Sequence, residues 1–339
     1  MLKSKTTIHD IAKELNITAA TVSRALNGNQ AISERTRIAV EDMARKLNYN
    51  PNKLAASLRT GKTFTVGVLV PAADRSFFGS IIRGIEEELT QAGYSVIVAQ
   101  TYEGQQAEIK AIETLLRLQV DGIMASVSKN TQRYEHFESV LKEGIPLLFF
   151  DNIWKNMAVS SVTIDDYLGA YRATIHLLEQ GCRRIVHLAG LQTSYVYQER
   201  LRGYQAALRD WGMQSDPSLV VDCISEVSAG RQVAARVLDI TPQVDGVCSS
   251  SDFAALGLLQ ELQAKGCRIP HDIALVGFAN EPFTEYVSPA LSTVDQCTRH
   301  MGYTTARLFL DELSAKVKFV PRSMVLQPEL IIRASSKRV

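Results

Sequence analysis

Thr18-Ala19-Ala20-Thr21-Val22-Ser23-Arg24-Ala25-Leu26-Asn27 is the stretch on which the reading of this chain turns. Thr18 is an N-cap residue type, and Val22, Ala25 and Leu26 share one face of the helix expected over residues 19–26. Upstream, Thr7 reads as the cap of another helix with Asp10 in its first turn, and Ile8, Ile11, Ala12 and Leu15 mark its apolar face. Asn16-Ile17-Thr18 breaks the pattern between the two. Downstream, Asn27-Gly28-Asn29 signals a turn, and Ser33 opens a longer helix carrying Arg37, Ile38, Val40, Met43, Ala44 and Leu47. Three short helices with a three-residue turn between the first two predict a helix-turn-helix. Its second helix would lie in a DNA major groove and expose Ala19, Ala20, Ser23 and Arg24. On spacing alone, a purely structural three-helix bundle fits as well.

Charge separates the two ends of the chain. Of 339 residues with a net charge of +1, the first 60 hold ten Lys/Arg against five Asp/Glu, leaving 27 basic and 31 acidic residues for the rest. A basic head on a mildly acidic body places any polyanion at the head. The five cysteines are scattered and never form a C-x-x-C, which argues against a disulfide framework or a zinc site and fits a reducing compartment. Residues 1–30 lack an apolar signal core, and no apolar run approaches the roughly 20 residues of a membrane span, so a cytoplasmic protein is expected.

Beyond residue 61 the chain alternates apolar β-like runs with amphipathic helices. Strands are expected over 64–70, 95–99, 122–125, 146–150, 184–189, 244–248 and 273–278, and helices over 79–91, 169–180, 201–209, 229–238 and 254–264. Repeated β-α units predict parallel, doubly wound sheets. A helix-Gly-strand phrase recurs at Ala92-Gly93-Tyr94, Gln180-Gly181-Cys182 and Lys265-Gly266-Cys267, giving two similar lobes. Ligands of such sheets bind at the carboxyl ends of the strands, here the cleft between lobes. Gly61-Lys62-Thr63 imitates the end of a phosphate-binding P-loop, but Ala56 stands where that motif needs glycine, and a helix precedes it rather than a strand. There is no H-E-x-x-H, G-x-S-x-G or strand-linked G-x-G-x-x-G, and the six histidines are dispersed. No enzyme, cofactor or metal site is expected.

Four blocks of the head, residues 7–12, 21–27, Ser33-x-x-Thr36-Arg37 and Leu47-Asn48-Tyr49-Asn50-Pro51-Asn52, resemble the lactose-repressor (LacI/GalR) family. The resemblance implies that Ala19, Ala20 and Arg24 face base edges, while Thr21, Ser23 and Asn27 touch phosphates or hold the helix on the backbone. Thr7 and Thr18, at the caps, complete the DNA-facing set of the head. Arg24 suits guanine, to which Arg donates bidentately. Residues 51–61 become a hinge helix and linker, in which Asn52, Lys53 and Ala55 approach DNA and Leu58 wedges into the minor groove. About two turns long, that helix is marginal on its own.

The likeness continues along the body through Val70-Pro71, Asp121-Gly122-Ile123, Asp151, Leu188-Ala189-Gly190, Ser251-Asp252, Val276-Gly277-Phe278 and Gln296. It implies an all-α head on residues 1–50 and an α/β body of periplasmic-binding-protein type on 62–339. The chain would cross between lobes near 161, 290 and 323, so that lobe 1 holds 62–160 and 291–322 and lobe 2 holds 162–289 and 324–339. The effector-binding set is then Ser76, Phe77, Phe78 and Asp151 from lobe 1, Tyr195, Arg200, Ser251, Asp252 and Asn280 from lobe 2, and Gln296. For Asp74 and Asp252 a helix cap is the competing role. Where the family usually places an aspartate, Ala279 stands, so Asn280 or Glu281 would have to supply that contact. The expected protein is a repressor of sugar-utilisation genes. It binds a near-palindromic double-stranded operator as a homodimer and answers to a sugar or sugar derivative between the lobes, with Arg200 leaving room for an acidic one. No C-terminal leucine heptad follows Gln327-Pro328-Glu329-Leu330, so a tetramer is not expected. The rival is a sugar sensor that acts through protein partners without specific DNA binding.

Overall fold

The computed structural model describes residues 6–49, 61–315 and 319–338. The chain forms two compact units, residues 1–63 and 64–339. The first is all helical: α1 Ile8–Leu15, α2 Ala19–Leu26 and α3 Glu34–Lys46. Each starts on a polar cap. The Asp10 carboxylate accepts the Thr7 N–H at 2.8 Å, Thr18 Oγ1 accepts the Thr21 N–H at 3.1 Å, and Ser33 Oγ accepts the Thr36 N–H at 3.3 Å. Helix α1 stops at Asn16, whose φ of 52° is left-handed, a conformation that asparagine tolerates. Ile11, Val22 and Val40, one from each helix, are fully buried and form the centre of the core.

The second unit holds two six-stranded sheets. The first runs in the order β11-β5-β4-β3-β1-β2, with β1 Thr65–Val70, β2 Ser95–Gln100, β3 Gly122–Ala125, β4 Leu147–Phe150, β5 Ser160–Ile164 and β11 Ser323–Leu326, all parallel. The second runs β12-β10-β9-β8-β6-β7, with β6 Ile185–Ala189, β7 Val220–Asp222, β8 Gly246–Ser249, β9 Ala274–Phe278, β10 Ser292–Asp295 and β12 Glu329–Ile331. Only β12 is antiparallel, paired with β10. In lobe 1 the helices are α4 Ser76–Gln91, α5 Gln105–Arg117, α6 Glu135–Lys142 and α11 Thr298–Ser314. In lobe 2 they are α7 Asp166–Glu179, α8 Tyr195–Asp210, α9 Val227–Asp239 and α10 Asp252–Ala264. Strands β3, β4, β5, β6, β8 and β9 are buried throughout, as parallel strands covered on both faces must be.

Helices α4 and α11 cross at glycine. A methyl group on Gly84 would strike the carbonyl of Arg299, and one on Gly302 the carbonyl of Ile81. Pairs α7/α8 and α9/α10 meet in the same way, through Gly203 and through Gly230 with Gly257.

The crossings between lobes fall later than expected, near 165, 296–297 and 327–328 instead of 161, 290 and 323. Residues 160–164 pair with β4 and β11 as a lobe 1 strand, 292–295 pair with β9 and β12 in lobe 2, and 323–326 pair with β5 in lobe 1. Each segment completes its strand before it leaves, so hydrogen-bond register sets the crossing and composition does not reveal it.

Candidate functional site

On the head, Thr7, Thr18, Ala20, Arg24 and Asn27 are exposed, while Ala19, Thr21 and Ser23 are half-buried. Ala19 also packs on the core, which fixes the start of α2. Arg24 rests its Nε on the Ala20 carbonyl at 3.3 Å, and Asn27 donates to the Ser23 carbonyl at 2.6 Å. These polar groups thus share one outward face of α2 and its C-terminus. Asn52, Lys53, Ala55 and Leu58 lie outside the described residues.

On the body, a cavity of about 370 Å³ opens between the lobes at the carboxyl ends of both sheets. Phe77 and Phe78 enter it from α4 after β1, Asp151 directly follows β4, and Arg200 comes from the second turn of α8. Ser251 follows β8 and Gln296 follows β10. Those six expected residues line the cavity; Ser76, Tyr195, Asp252 and Asn280 do not.

Each of the four has another engagement. Ser76 donates across the cleft to the Glu281 carboxylate. Tyr195 carries the Lys155 ammonium 3.9 Å over its ring. Asp252 is fully buried, accepting the Glu281 N–H at 2.9 Å and the Thr293 hydroxyl at 2.7 Å. Ser251, not Asp252, caps α10, and burial pushes the Asp252 carboxyl up to about 7. Gly277 makes this possible, because a side chain there would collide with Asp252 Oδ1. Asn280 donates to Asp295 at 2.7 Å and accepts from Arg333 at 3.1 Å. Asp74 is exposed, and Arg75 takes the N-cap position of α4.

Ala279 and Asn280 have φ values of 126° and 50°, two left-handed residues in succession, the first in a region costly for any residue with a Cβ. This turn sends Asn280 away from the cleft and brings Glu281, only 3% exposed, to its wall. The carboxylate missing at Ala279 is thus supplied two residues later.

Arg200 is the hub of lobe 2. It is 6% exposed, lies 2.7 Å from Asp166, donates to the Ser250 carbonyl at 2.8 Å and to Gln296 Oε1 at 3.1 Å, and stacks 3.7 Å over Phe278. Burial raises the Asp166 carboxyl to about 6 despite Arg200, and its Oδ2 has no hydrogen-bond partner. Behind Ser250 sits His187. Its Nδ1 donates to the Cys248 carbonyl at 3.1 Å, so Nε2 accepts the Ser250 hydroxyl at 3.2 Å. Burial drives this imidazole down to about 3, which keeps it neutral.

Asp151 adopts a left-handed φ of 59° and accepts the Ser126 hydroxyl at 2.8 Å. Burial lifts its carboxyl above the ordinary value, although Ser126, Lys129 and Arg200 pull the other way. Several lining residues were not anticipated: Arg75, Glu103, Lys129, Ser225 and Glu226. Lys129 pairs with Glu103 at 3.0 Å. Burial alone would depress its ammonium, but Tyr197 and Glu103 beside it hold it above the usual lysine range. Arg75 stacks 4.0 Å over Phe253 and reaches the Ser225 carbonyl at 3.4 Å. Every one of these residues follows a strand end: Arg75, Glu103 and Lys129 come after β1, β2 and β3, all expected from the sequence, and Ser225 and Glu226 come after β7, which was not expected. The lobes also meet where Ser194 donates to Asn152 at 3.1 Å and Thr193 to the Lys129 carbonyl at 3.2 Å. Among the described residues no cluster of His, Cys, Asp and Glu could hold a metal ion, and no helix is long and apolar enough to cross a membrane.

Comparison with known proteins accounts for both units. A family profile described as "Bacterial regulatory proteins, lacI family" matches residues 7–52, and one described as "Periplasmic binding protein-like domain" matches 174–336. The ribose operon repressor of Halalkalibacterium halodurans is 30% identical over 332 residues, 98% of this chain and 97% of its own. The chain belongs to the LacI family of bacterial transcription regulators. Among solved structures, the transcriptional regulator CelR-cellobiose complex superposes with a TM-score of 0.75 at 30% identity, covering 98% of this chain and 100% of its own. The lac repressor dimer bound to operator and the anti-inducer ONPF shares the fold, with a TM-score of 0.88 at 24% identity over 99% and 100% of the two chains.

Proposed function

We propose that this LacI-family regulator is a cytoplasmic repressor without catalytic function. It reads a near-palindromic operator as a homodimer and is switched by a sugar or sugar derivative held between its lobes. The observation that carries the reading is the composition of the cavity wall. Asp151 and Phe77 come from one lobe and Arg200, Ser251 and Glu281 from the other, so a ligand touching both sets binds the closed lobes better than open ones. Such differential affinity is what an effector needs in order to shift a conformational equilibrium. The relatives support the ligand class, one named for ribose and one solved with cellobiose. In this reading α2 is the DNA reader: its exposed Arg24 meets a base edge, while Thr21, Ser23 and Asn27 hold the backbone. One head reads one half-site, and two heads read half-sites about one helical turn, roughly 34 Å, apart.

The test is fluorescence anisotropy of the full chain on DNA from the promoter beside its own gene, with and without a sugar panel. Saturable binding whose affinity one sugar changes is the expected result. Protein that shows no preference for that DNA over random sequence would overturn the repressor reading.

A further inference from the structure

The charges around the cavity do not cancel, and their surplus is acidic. Four carboxylates, Glu103, Asp151, Glu226 and Glu281, face three cations, Arg75, Lys129 and Arg200. Two of those cations are already committed. Lys129 pairs with Glu103 at 3.0 Å, and Arg200 pairs with Asp166, a fifth carboxylate just behind the wall, at 2.7 Å. Arg75 has one face against Phe253 and no carboxylate partner among the described residues. Asp151, Glu226 and Glu281 likewise have no ion-pair partner among them, and their carboxylates accept from the hydroxyls of Ser126, Ser228 and Ser76. Asp151 stands in lobe 1, Glu226 and Glu281 in lobe 2.

Resting on the reading of this cavity as the effector site, we propose that the effector is an amine-bearing polyol of the amino-sugar class, its ammonium held by the unpaired carboxylates of Asp151 and Glu281. Hydroxyls and aromatic faces explain why a sugar-sized polar molecule fits. The amine explains the charge. A carboxylate or phosphate would meet one guanidinium without a carboxylate partner, that of Arg75, against the three unpaired carboxylates of Asp151, Glu226 and Glu281, and would add to the acidic surplus. A neutral sugar would leave the carboxylates of Asp151 and Glu281 without an ion-pair partner where little water screens them. An ammonium makes charge-assisted hydrogen bonds to carboxylates of both lobes, and so favours closure.

Isothermal titration calorimetry on the full-length protein decides the matter. The probes are matched neutral, amino and acidic mono- and disaccharides, including glucose, glucosamine and glucuronate. One amino member should bind at least about tenfold more tightly than its neutral partner, and its acidic partner more weakly still. Asp151→Asn should reduce that preference to within about twofold. Asparagine tolerates the left-handed backbone at 151 and still accepts from Ser126, so the variant folds. Glu281→Gln should narrow the preference partially. A neutral or acidic member that outbinds its amino partner refutes the amine assignment and leaves the sugar-effector reading standing. If no member binds the wild type, both fall. An amino preference that survives Asp151→Asn intact also refutes the proposal.

Discussion

Arg200 is more deeply committed than a ligand-binding arginine reached from solvent, and its removal has a calculable consequence. Arg200→Met deletes the charge while keeping an apolar chain against Phe278. Asp166 then loses its partner at 2.7 Å and stays buried with neither oxygen satisfied, since Oδ2 already has none. Breaking a buried ion pair from one side costs about 3–5 kcal/mol. At about 2–4 °C per kcal/mol for a unit of this size, the body should lose roughly 6–20 °C in Tm. Asp166→Leu alone should also destabilise, by stranding the guanidinium. The double variant Arg200→Met/Asp166→Leu should recover most of the loss, because two apolar side chains replace the pair, leaving a coupling of about 3 kcal/mol. Differential scanning calorimetry of the four proteins measures this. If Arg200→Met shifts the body's transition by less than about 2 °C, or if the two changes add within about 0.5 kcal/mol, Arg200 is a free ligand group and this reasoning fails. For the same reason, loss of effector response in Arg200→Ala does not by itself identify a ligand contact.

Other perturbations separate the remaining parts. Arg24→Ala should weaken operator binding by about 1–3 kcal/mol and relax one base position, which selection from a randomised operator library would read; unchanged preference there would mean that α2 is not the recognition helix. Gly302→Ala should drive a methyl into the Ile81 carbonyl and force α4 and α11 apart, lowering stability by about 1–3 kcal/mol in urea unfolding, and a neutral result would show that this crossing has slack. Asp252 has a folded pKa of about 7 against an ordinary 3.8, so its contribution is fully present below about pH 4 and is lost as the pH rises through 7. The shift sets a ceiling of about 4 kcal/mol. Asp252→Asn, whose amide can still accept from Glu281 and donate to Thr293, should flatten the fall in stability between pH 5 and pH 8, and an unchanged pH profile would assign that fall to other groups.

How much of this was legible beforehand follows from the kind of signal involved. Caps, turns and 3.6-residue periodicity are local, so Thr7, Thr18 and Ser33 could be read directly and the structure places α1, α2 and α3 on them. The alternation of apolar runs with helices likewise announced two doubly wound lobes, because parallel strands buried on both faces are continuous apolar segments. Asp151 and Ser251 could be named because a strand end marks the rim of such sheets, whereas Gln296 was implied by the family resemblance alone.

What only the tertiary structure decided is where groups distant in sequence meet. Asp252 looked like a residue at a helix start and became a buried acceptor because Thr293 and Glu281 arrive from elsewhere in the chain, and Asp166, which no local pattern singles out, became one through Arg200. Arg200 looked like a free fork until Asp166, Ser250 and Gln296 claimed its donors. The crossing points depended on which sheet would pair residues 160–164, 292–295 and 323–326, a question of register between strands that no local pattern encodes. The return of a carboxylate at Glu281 required the left-handed turn at Ala279 and Asn280, a backbone conformation that neither residue advertises and that the surrounding contacts impose.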